Sequence, residues 1–368
     1  MNRDTVKRLR AAVGRDSVRQ MLRVLLRWPK DAPLDDGYSI ILGVPWHLRH
    51  LLSVNLECIA RTDRSNLRTI HVVLDRAAPR ELEEIRSAVP DHLRILPISF
   101  HCYRGLAGRI VEMADVSTFY NGMNCITALQ RIDTQHAILH DFDLYPLVPD
   151  YFERMHRQMV RNDLDFCGVE LTRFDGLTDD DRILGTWGLG MNVQRLRRSF
   201  EPVDILHRIR RIRGRHVTLD PFSDIQHTHA ASRELVDGVS PEDFCHVKNL
   251  CSSYLRFNTG RHVTLAWRMH YLWYLESIHL GRDLDRITAS MDAAEGLVLE
   301  VDGRTLDFAD THPTCANVLE SELFRMDRFL FESVRSDTRT YVEAFRRFLS
   351  GDPDRRSKPE PSNRSVLQ

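Results

Sequence analysis

Two aspartates separated by one residue, Asp141 and Asp143 in "HAILHDFDLYPLVPDYFERM", are the residues of this chain best spaced for chemistry. They follow a short apolar run, Ala137-Ile138-Leu139, and so fall at the turn that ends a buried strand. Two acids on such a turn can hold one divalent cation, Mg2+ or Mn2+, through hard oxygen ligands, with phosphate oxygens and water completing its shell. A cation held that way bridges a diphosphate and neutralises charge on a phosphate leaving group. Further on, Pro149-Asp150 followed by Glu153 has the pattern of a helix start. Asp150 would be its N-cap, with Glu153 reaching back as in a capping box.

The elements that must carry this pair are legible upstream of it. "YSIILGV" from Tyr38, "TIHVVLD", "LRILPIS" and the run into Asp141 are apolar throughout, and they alternate with helical stretches. Strands of that kind predict an α/β fold, a mostly parallel sheet flanked by helices. Ligands on such sheets bind at the carboxyl ends of the strands. Gly43-Val44-Pro45, Asp75 and the Asp141/Asp143 pair all fall there. Beyond the pair, "LDFCGVEL" reads as a strand, and "LGTWGLGMNVQRLRRSF" as a glycine-rich segment entering a helix. "PEDFCHVKNLCSSYLR" reads as a strand end entering a helix, and "VTLAWRMHYLWYLESIHL" as a long, half-buried helix. Asp302-Gly303 between two alternating runs predicts a β-hairpin.

The expected organisation has four parts. Residues 1–33 form a basic amphipathic helical segment ended by Pro29, with Val18, Met21, Leu22 and Leu25 on one stripe and Arg15, Arg19, Arg23 and Arg27 on another. Such a helix either packs on the main domain with its charged side solvated, or meets an anionic membrane surface or an acidic partner. Residues 38–256 form the catalytic domain, residues 257–350 a mainly helical C-terminal extension with the hairpin, and residues 351–368 a polar, proline-rich tail expected to be disordered.

Bulk properties narrow the classes. A net charge of −1 over 368 residues gives no field for nucleic acid. No run of eighteen apolar residues exists, the N-terminus lacks the apolar core of a signal peptide, and seven scattered cysteines include no Cys-x-x-Cys pair. These features point to a cytoplasmic protein without a disulfide framework or a structural zinc site.

The order of about a hundred residues of βα units followed by Asp-x-Asp resembles the GT-A-fold, family 2-like glycosyltransferases, over roughly residues 38 to 250. The resemblance implies a Rossmann-type nucleotide-binding half and a metal-dependent, hexosyltransferase-like activity. The donor would be a nucleoside-diphosphate-sugar, taken as a UDP-sugar, and the acceptor a hydroxyl. "YSIILGVPW" is similar to the first strand and its nucleotide-facing loop, with Val44 and Pro45. Asp75, ending "HVVLD", would meet the base or ribose. "FYNGMNCITALQRIDTQHAILHDFD" is similar to the helix and strand that deliver the pair, with Asn121 and Asp141 on the donor side and Asp141 and Asp143 on Mn2+ or Mg2+. "GTWGLGMNVQRL" resembles the acceptor side, where Trp187 and Gly188 would lie. "FCHVKNL" is similar to a stretch that carries a third metal ligand, here His246, with Lys248 meeting a phosphate.

"SDIQHTHAASREL" resembles the helix start that carries the catalytic acid of inverting members, with Ser223-Asp224 in place of the usual paired acids. Asp224 would be the general base, kept ionised by the helix dipole, or would merely cap the helix; Asp220 is its rival. Two other readings use the same pair. One is a haloacid-dehalogenase-like phosphatase, although Tyr145 stands where a small Thr or Val is wanted and Asp141 follows three strands instead of opening the domain. The other is a nucleotide-sugar-binding protein of the same fold without turnover.

Overall fold

The computed structural model describes residues 3–29, 33–75, 78–103, 105–114, 117–172, 183–229 and 232–351. The chain divides into two compact units, residues 1–49, 62–144 and 149–243, and residues 50–61, 145–148 and 244–368.

The larger unit is built on a seven-stranded sheet of order β12-β6-β9-β4-β1-β2-β3. Its strands are β1 (Asp35–Val44), β2 (Leu67–Leu74), β3 (Ile98–Cys102), β4 (Thr134–Asp141), β6 (Phe166–Gly168), β9 (Gly188–Asn192) and β12 (Arg233–Leu235). Only β9 runs antiparallel to its neighbours, β4 and β6; the other pairings are parallel. Tyr38, Ile40, Ile41 and Leu42 of β1 and Val72, Val73 and Leu74 of β2 are fully buried. Strands covered on both faces have no solvent side, which is why their sequences are apolar without alternation. Helices α3 (Pro79–Ala88), α5 (Ser117–Leu129), α6 (Tyr151–Arg161) and α7 (Val193–Ser199) pack on the strands. Two small pairs, β7 (Leu171–Thr172) with β8 (Ile183–Leu184) and β10 (Arg208–Ile212) with β11 (Arg215–Leu219), and the short helix α8 (Ser223–Thr228) complete its later part.

Three local expectations are corrected. The third strand begins at Ile98, not at Leu93, because Pro97 lacks the N–H that a ladder needs. Leu93 and Leu96 are still buried, but from the turn that precedes it. Helix α6 starts where predicted, yet Asp150 makes no capping hydrogen bond and Glu153 does not reach back. Asp150 instead pairs with Arg154 at 2.6 Å, while the buried Glu153 accepts the backbone and side-chain N–H of Asn66, both at 2.8 Å. The N-terminal arginine stripe is not all solvated. Helix α1 (Arg3–Leu25) packs along α4 (Gly105–Ala114), and Leu22 and Leu26 enter the core beside Val111 and Phe119. Arg19 is buried with them and donates to the carbonyls of Leu206 and Val203 at 2.8 and 3.2 Å, while Arg23 pairs with Glu201 at 2.6 Å.

The smaller unit joins α2 (Leu52–Ala60) to α9 (Leu250–Asn258), α10 (Met269–His279), α11 (Leu284–Ala293), α12 (Cys315–Phe331) and α13 (Ser336–Ser350). The predicted hairpin is β14 (Val298–Val301) and β15 (Arg304–Asp307), turned by Asp302 and Gly303 at φ 54 and 69. The strand β5 (Leu144–Pro146), which follows Asp143 directly in the chain, pairs with β13 (Phe244–His246). Of the tail at 351–368, all but Gly351 lies outside the described residues. Among the described residues, no helix is long and apolar enough to cross a membrane.

Candidate metal and donor site

Strand register assembles the site. Gly43 on β1 lies opposite Asp141 on β4, and Val44 lies opposite Leu74 on β2. The carboxyl ends of three parallel strands are therefore level, and Val44, Pro45, Asp75 and Asp141 meet along one edge. The N–H of Asp75 donates to the Val44 carbonyl at 3.2 Å, and the Asp75 carboxylate accepts the N–H of Trp46. Asp75 thus pins the loop that follows β1. The Arg49 guanidinium lies 4.0 Å above the ring centroid of the half-buried Trp46. Trp46 ends the segment "YSIILGVPW" but is not singled out by it; its own sequence signal is an aromatic ring just after a strand end.

Helix α5 runs against this edge. A Cβ at Gly43 would stand 3.1 Å from Asn124 Nδ2, so glycine is what allows the helix to approach. One turn earlier, Asn121 Oδ1 accepts the Cys125 thiol at 3.8 Å. Burial and the nearby negative charge of Asp141 both push the Cys125 thiol up. From the other side comes β9, whose Gly188 lies opposite His140, and the Trp187 carbonyl accepts the N–H of Asp141 at 3.0 Å. Gly188 is itself buried, and a Cβ there would meet Val169 at 2.8 Å and the Tyr151 hydroxyl at 3.1 Å. Gly188 therefore serves sheet packing and offers no surface to an acceptor, whereas Trp187 is half-buried.

Three acids dominate the electrostatics. The carboxyl of Asp141 is held well above the usual range, first by burial and then by the negative charges of Asp143 and Asp220. Asp220 follows β11 directly, and burial raises its carboxyl too. Among the described residues no hydrogen bond or ion pair holds the Asp220 side chain. The sequence offers Asp220 only as a rival to Asp224; the fold sets it beside Asp141.

Asp224 has a different setting from the one expected. It is 2% exposed, and both its oxygens are engaged. Arg208 Nη1 donates to Oδ2 at 2.6 Å, Arg210 Nε to Oδ1 at 2.7 Å, and Arg210 Nη2 to Oδ2 at 2.9 Å. Burial alone would raise this carboxyl, but the hydrogen bonds from Arg210 and Arg208 outweigh it and hold the group below the usual range. Nor is Asp224 the cap of α8, whose N-cap residue is Phe222 in the left-handed region at φ 65. An acid saturated by two guanidinium groups is a poor proton acceptor. Asp224 fastens the β10–β11 hairpin to α8.

His246 and Lys248 belong to the smaller unit. His246 ends β13 and is half-buried; Lys248 follows it, half-buried, with its carbonyl accepting the Arg268 guanidinium.

No protein-family model matches the chain, and no curated protein matches it. Among solved structures, the chain is similar to S. aureus TarS 1-349 at 10% identity and TM-score 0.38, covering 88% of this chain and 93% of that chain. The same protein in complex with UDP aligns at 12% identity and TM-score 0.34, with 88% and 93% covered. The mannosyltransferase PcManGT from Pyrobaculum calidifontis in complex with GDP-Man and Mn2+ aligns at 10% identity and TM-score 0.35, covering 92% of this chain and 80% of that one. At these scores the superpositions share only part of the backbone, and function must be argued from the residues of this chain.

Proposed function

We propose that this chain is a GT-A-type glycosyltransferase that moves a sugar from a nucleoside-diphosphate-sugar to a hydroxyl acceptor, with a divalent cation at Asp141 and Asp143. One observation carries the reading. At the carboxyl edge of a parallel sheet, burial and two neighbouring acids all act on Asp141 in the same direction. Such a cluster is unfavourable to the protein alone and becomes favourable when a cation shares it. Its donors are hard oxygens, which suit Mg2+ or Mn2+ and not a thiophilic metal.

When bound, the metal would neutralise charge on the diphosphate leaving group. His246 is the third ligand in this reading; its support is that β5 leaves Asp143 directly and pairs with the strand His246 ends. Lys248 would meet a phosphate. Asp75, with Trp46 beside it, would face the base or ribose of a uridine nucleotide, and Val44, Pro45 and Asn121 would line that pocket. Trp187 would stack on the acceptor sugar. Asp220 would accept the acceptor's hydroxyl proton, since a raised carboxyl suits a general base near neutral pH. These residues fall within 38–256, the proposed catalytic domain, with residues 257–350 as its extension. The phosphatase alternative finds no support in Asp141 ending the fourth strand of the sheet, next to the antiparallel β9.

The test is a thermal-shift panel of UDP, GDP and CDP with and without Mn2+ or Mg2+. At a hundredfold excess over Kd a ligand bound only by the folded state adds about 2.7 kcal/mol. One diphosphate should stabilise the chain strongly and only with metal; no metal-dependent shift from any of them overturns the reading. A turnover assay on the bound donor then separates a transferase from a protein that only binds nucleotide sugar.

A further inference from the structure

Helix α1 has a broad apolar stripe, and the fold buries only one side of it. Leu22 and Leu26 are buried in the core of the larger unit, with Val18 packed against it. Met21, Val24 and Leu25, spaced i, i+3 and i+4, lie along the outer side of that stripe and stay 51%, 73% and 40% exposed. Leu106 on α4, the helix that α1 packs along, is 61% exposed as well. Single exposed apolar residues are ordinary on a protein surface, but three at neighbouring positions of one helix are not. A helix that served only the core would be polar at these positions.

Charge says what covers this face. Helix α1 carries seven basic and two acidic residues within a chain whose net charge is only −1, although Arg19 is turned into the core and Arg23 is paired with Glu201. Among the described residues the exposed Arg27, one turn past Val24, donates only to carbonyls of its own turn, those of Arg23 and Leu26. A second copy docking by two-fold symmetry would bring two such basic helices together, which like charge opposes. An anionic lipid surface satisfies both features. Apolar side chains enter the boundary between headgroups and acyl chains, and arginines reach back to the phosphates. The negative leaflet adds long-range attraction that salt screens. We propose that the α1–α4 face of the larger unit seats this protein on an anionic membrane surface, with Met21, Val24, Leu25 and Leu106 inserted and Arg27 at the phosphate level.

The experiment is sedimentation of the full chain with vesicles of phosphatidylcholine alone or with about one third phosphatidylglycerol, at low and high salt. The parent should pellet with the anionic vesicles, release as salt rises, and stay soluble with neutral ones. Met21→Ser/Val24→Ser/Leu25→Ser should lower partition at least about tenfold while keeping the parent's melting temperature, because these side chains contribute little to the core. Should the triple variant misfold, Val24→Ser alone, at the most exposed of the positions, should still cost about threefold. The proposal is overturned by equal binding to neutral vesicles, by no binding to anionic ones, or by folded variants that partition like the parent. It is equally overturned if light scattering finds the parent a dimer that the triple variant converts to monomer, since the face would then be covered by a second copy.

Discussion

Asp220 and Asp224 stand four residues apart, at the two ends of one turn, and the fold treats them in opposite ways. Asp220 stands beside Asp141, where burial leaves its carboxyl raised and no hydrogen bond or ion pair holds it among the described residues. Asp224 receives three hydrogen bonds from Arg208 and Arg210 and is held low. The contrast teaches what distinguishes an acid poised for a ligand from an acid spent on architecture. Burial is common to both; the guanidinium neighbours decide. A poised acid costs the empty protein stability that a ligand returns, whereas a paired acid contributes its stability before any ligand arrives.

The largest effect should come from removing the paired acid. Asp224→Ala leaves Arg208 and Arg210 charged against a buried gap and unfastens β10–β11 from α8. Breaking a buried pair costs about 3–5 kcal/mol, and the partial exposure of the two arginines brings the expected loss to about 3 kcal/mol. Urea unfolding should report it. A variant as stable as the parent would mean that the ion pairs fasten nothing. Because the folded carboxyl is depressed, its stabilisation is present above the unfolded value near 4 and fades as pH falls through the folded value. The parent's advantage over Asp224→Ala should therefore shrink in acid.

Next in size is the effect on turnover. Asp220→Asn keeps the shape of the side chain but cannot accept a proton, so turnover should fall by about a hundredfold or more with donor binding intact. Asp224→Asn retains one carbonyl for the arginines and should turn over within a few fold of the parent once its lower stability is allowed for. The reverse ranking would return the base role to Asp224 and undo the distinction drawn between the two acids.

A smaller effect probes the metal. Asp143→Ala should abolish the Mn2+-dependent thermal shift by a nucleoside diphosphate, about 2–3 kcal/mol at saturating ligand, while the metal-free melting point barely moves. An undiminished shift would remove Asp143 from the metal site. His246→Ala should reduce the same shift without abolishing it, if two carboxylates remain to hold the ion.

How much of this is written in the sequence depends on the range of the interactions. The buried strands β1, β2 and β4 are legible because a strand covered on both faces must be apolar along its whole length. The turn at Asp302-Gly303 is legible because two successive left-handed residues admit few alternatives. The edge that gathers Val44, Pro45, Asp75 and Asp141 follows from those strands being parallel and in register. What fails is each assignment in which a polar side chain chooses among distant partners. Glu153 suits a capping box locally, yet Asn66, 87 positions away, takes both of its oxygens. Arg19 belongs to a stripe that reads as solvated, but the Val203 and Leu206 carbonyls nearly two hundred residues later take its guanidinium into the interior. Asp224 looks like a helix-start acid, and nothing local says that a hairpin of arginines folds back onto it. Spacing reveals which residues share a face; it does not reveal which charge meets which.

The smallest expected effect is the most direct test of the poised state. Asp141 is raised by burial and by Asp143 and Asp220, so in the metal-free protein its folded value lies above the unfolded value of about 3.9. Between those two values the folded state binds more protons than the unfolded state, and stability must fall as pH rises through that window. Above it the full penalty of a charged, crowded Asp141 is present. Asp141→Asn removes the titrating group but keeps the backbone N–H that donates to the Trp187 carbonyl at 3.0 Å. Without metal, this variant should melt a few degrees above the parent at pH 7, and the gap should close as pH falls toward 4. With Mn2+ and a nucleoside diphosphate the order should invert, because only the parent keeps both carboxylates for the ion. Melting curves at pH 4, 5.5 and 7, each with and without metal, separate the cases. A variant that melts below the parent at pH 7 without metal, or a gap that ignores pH, would show that Asp141 is no strained acid and that the Asp220 side of the comparison rests on nothing the protein has stored.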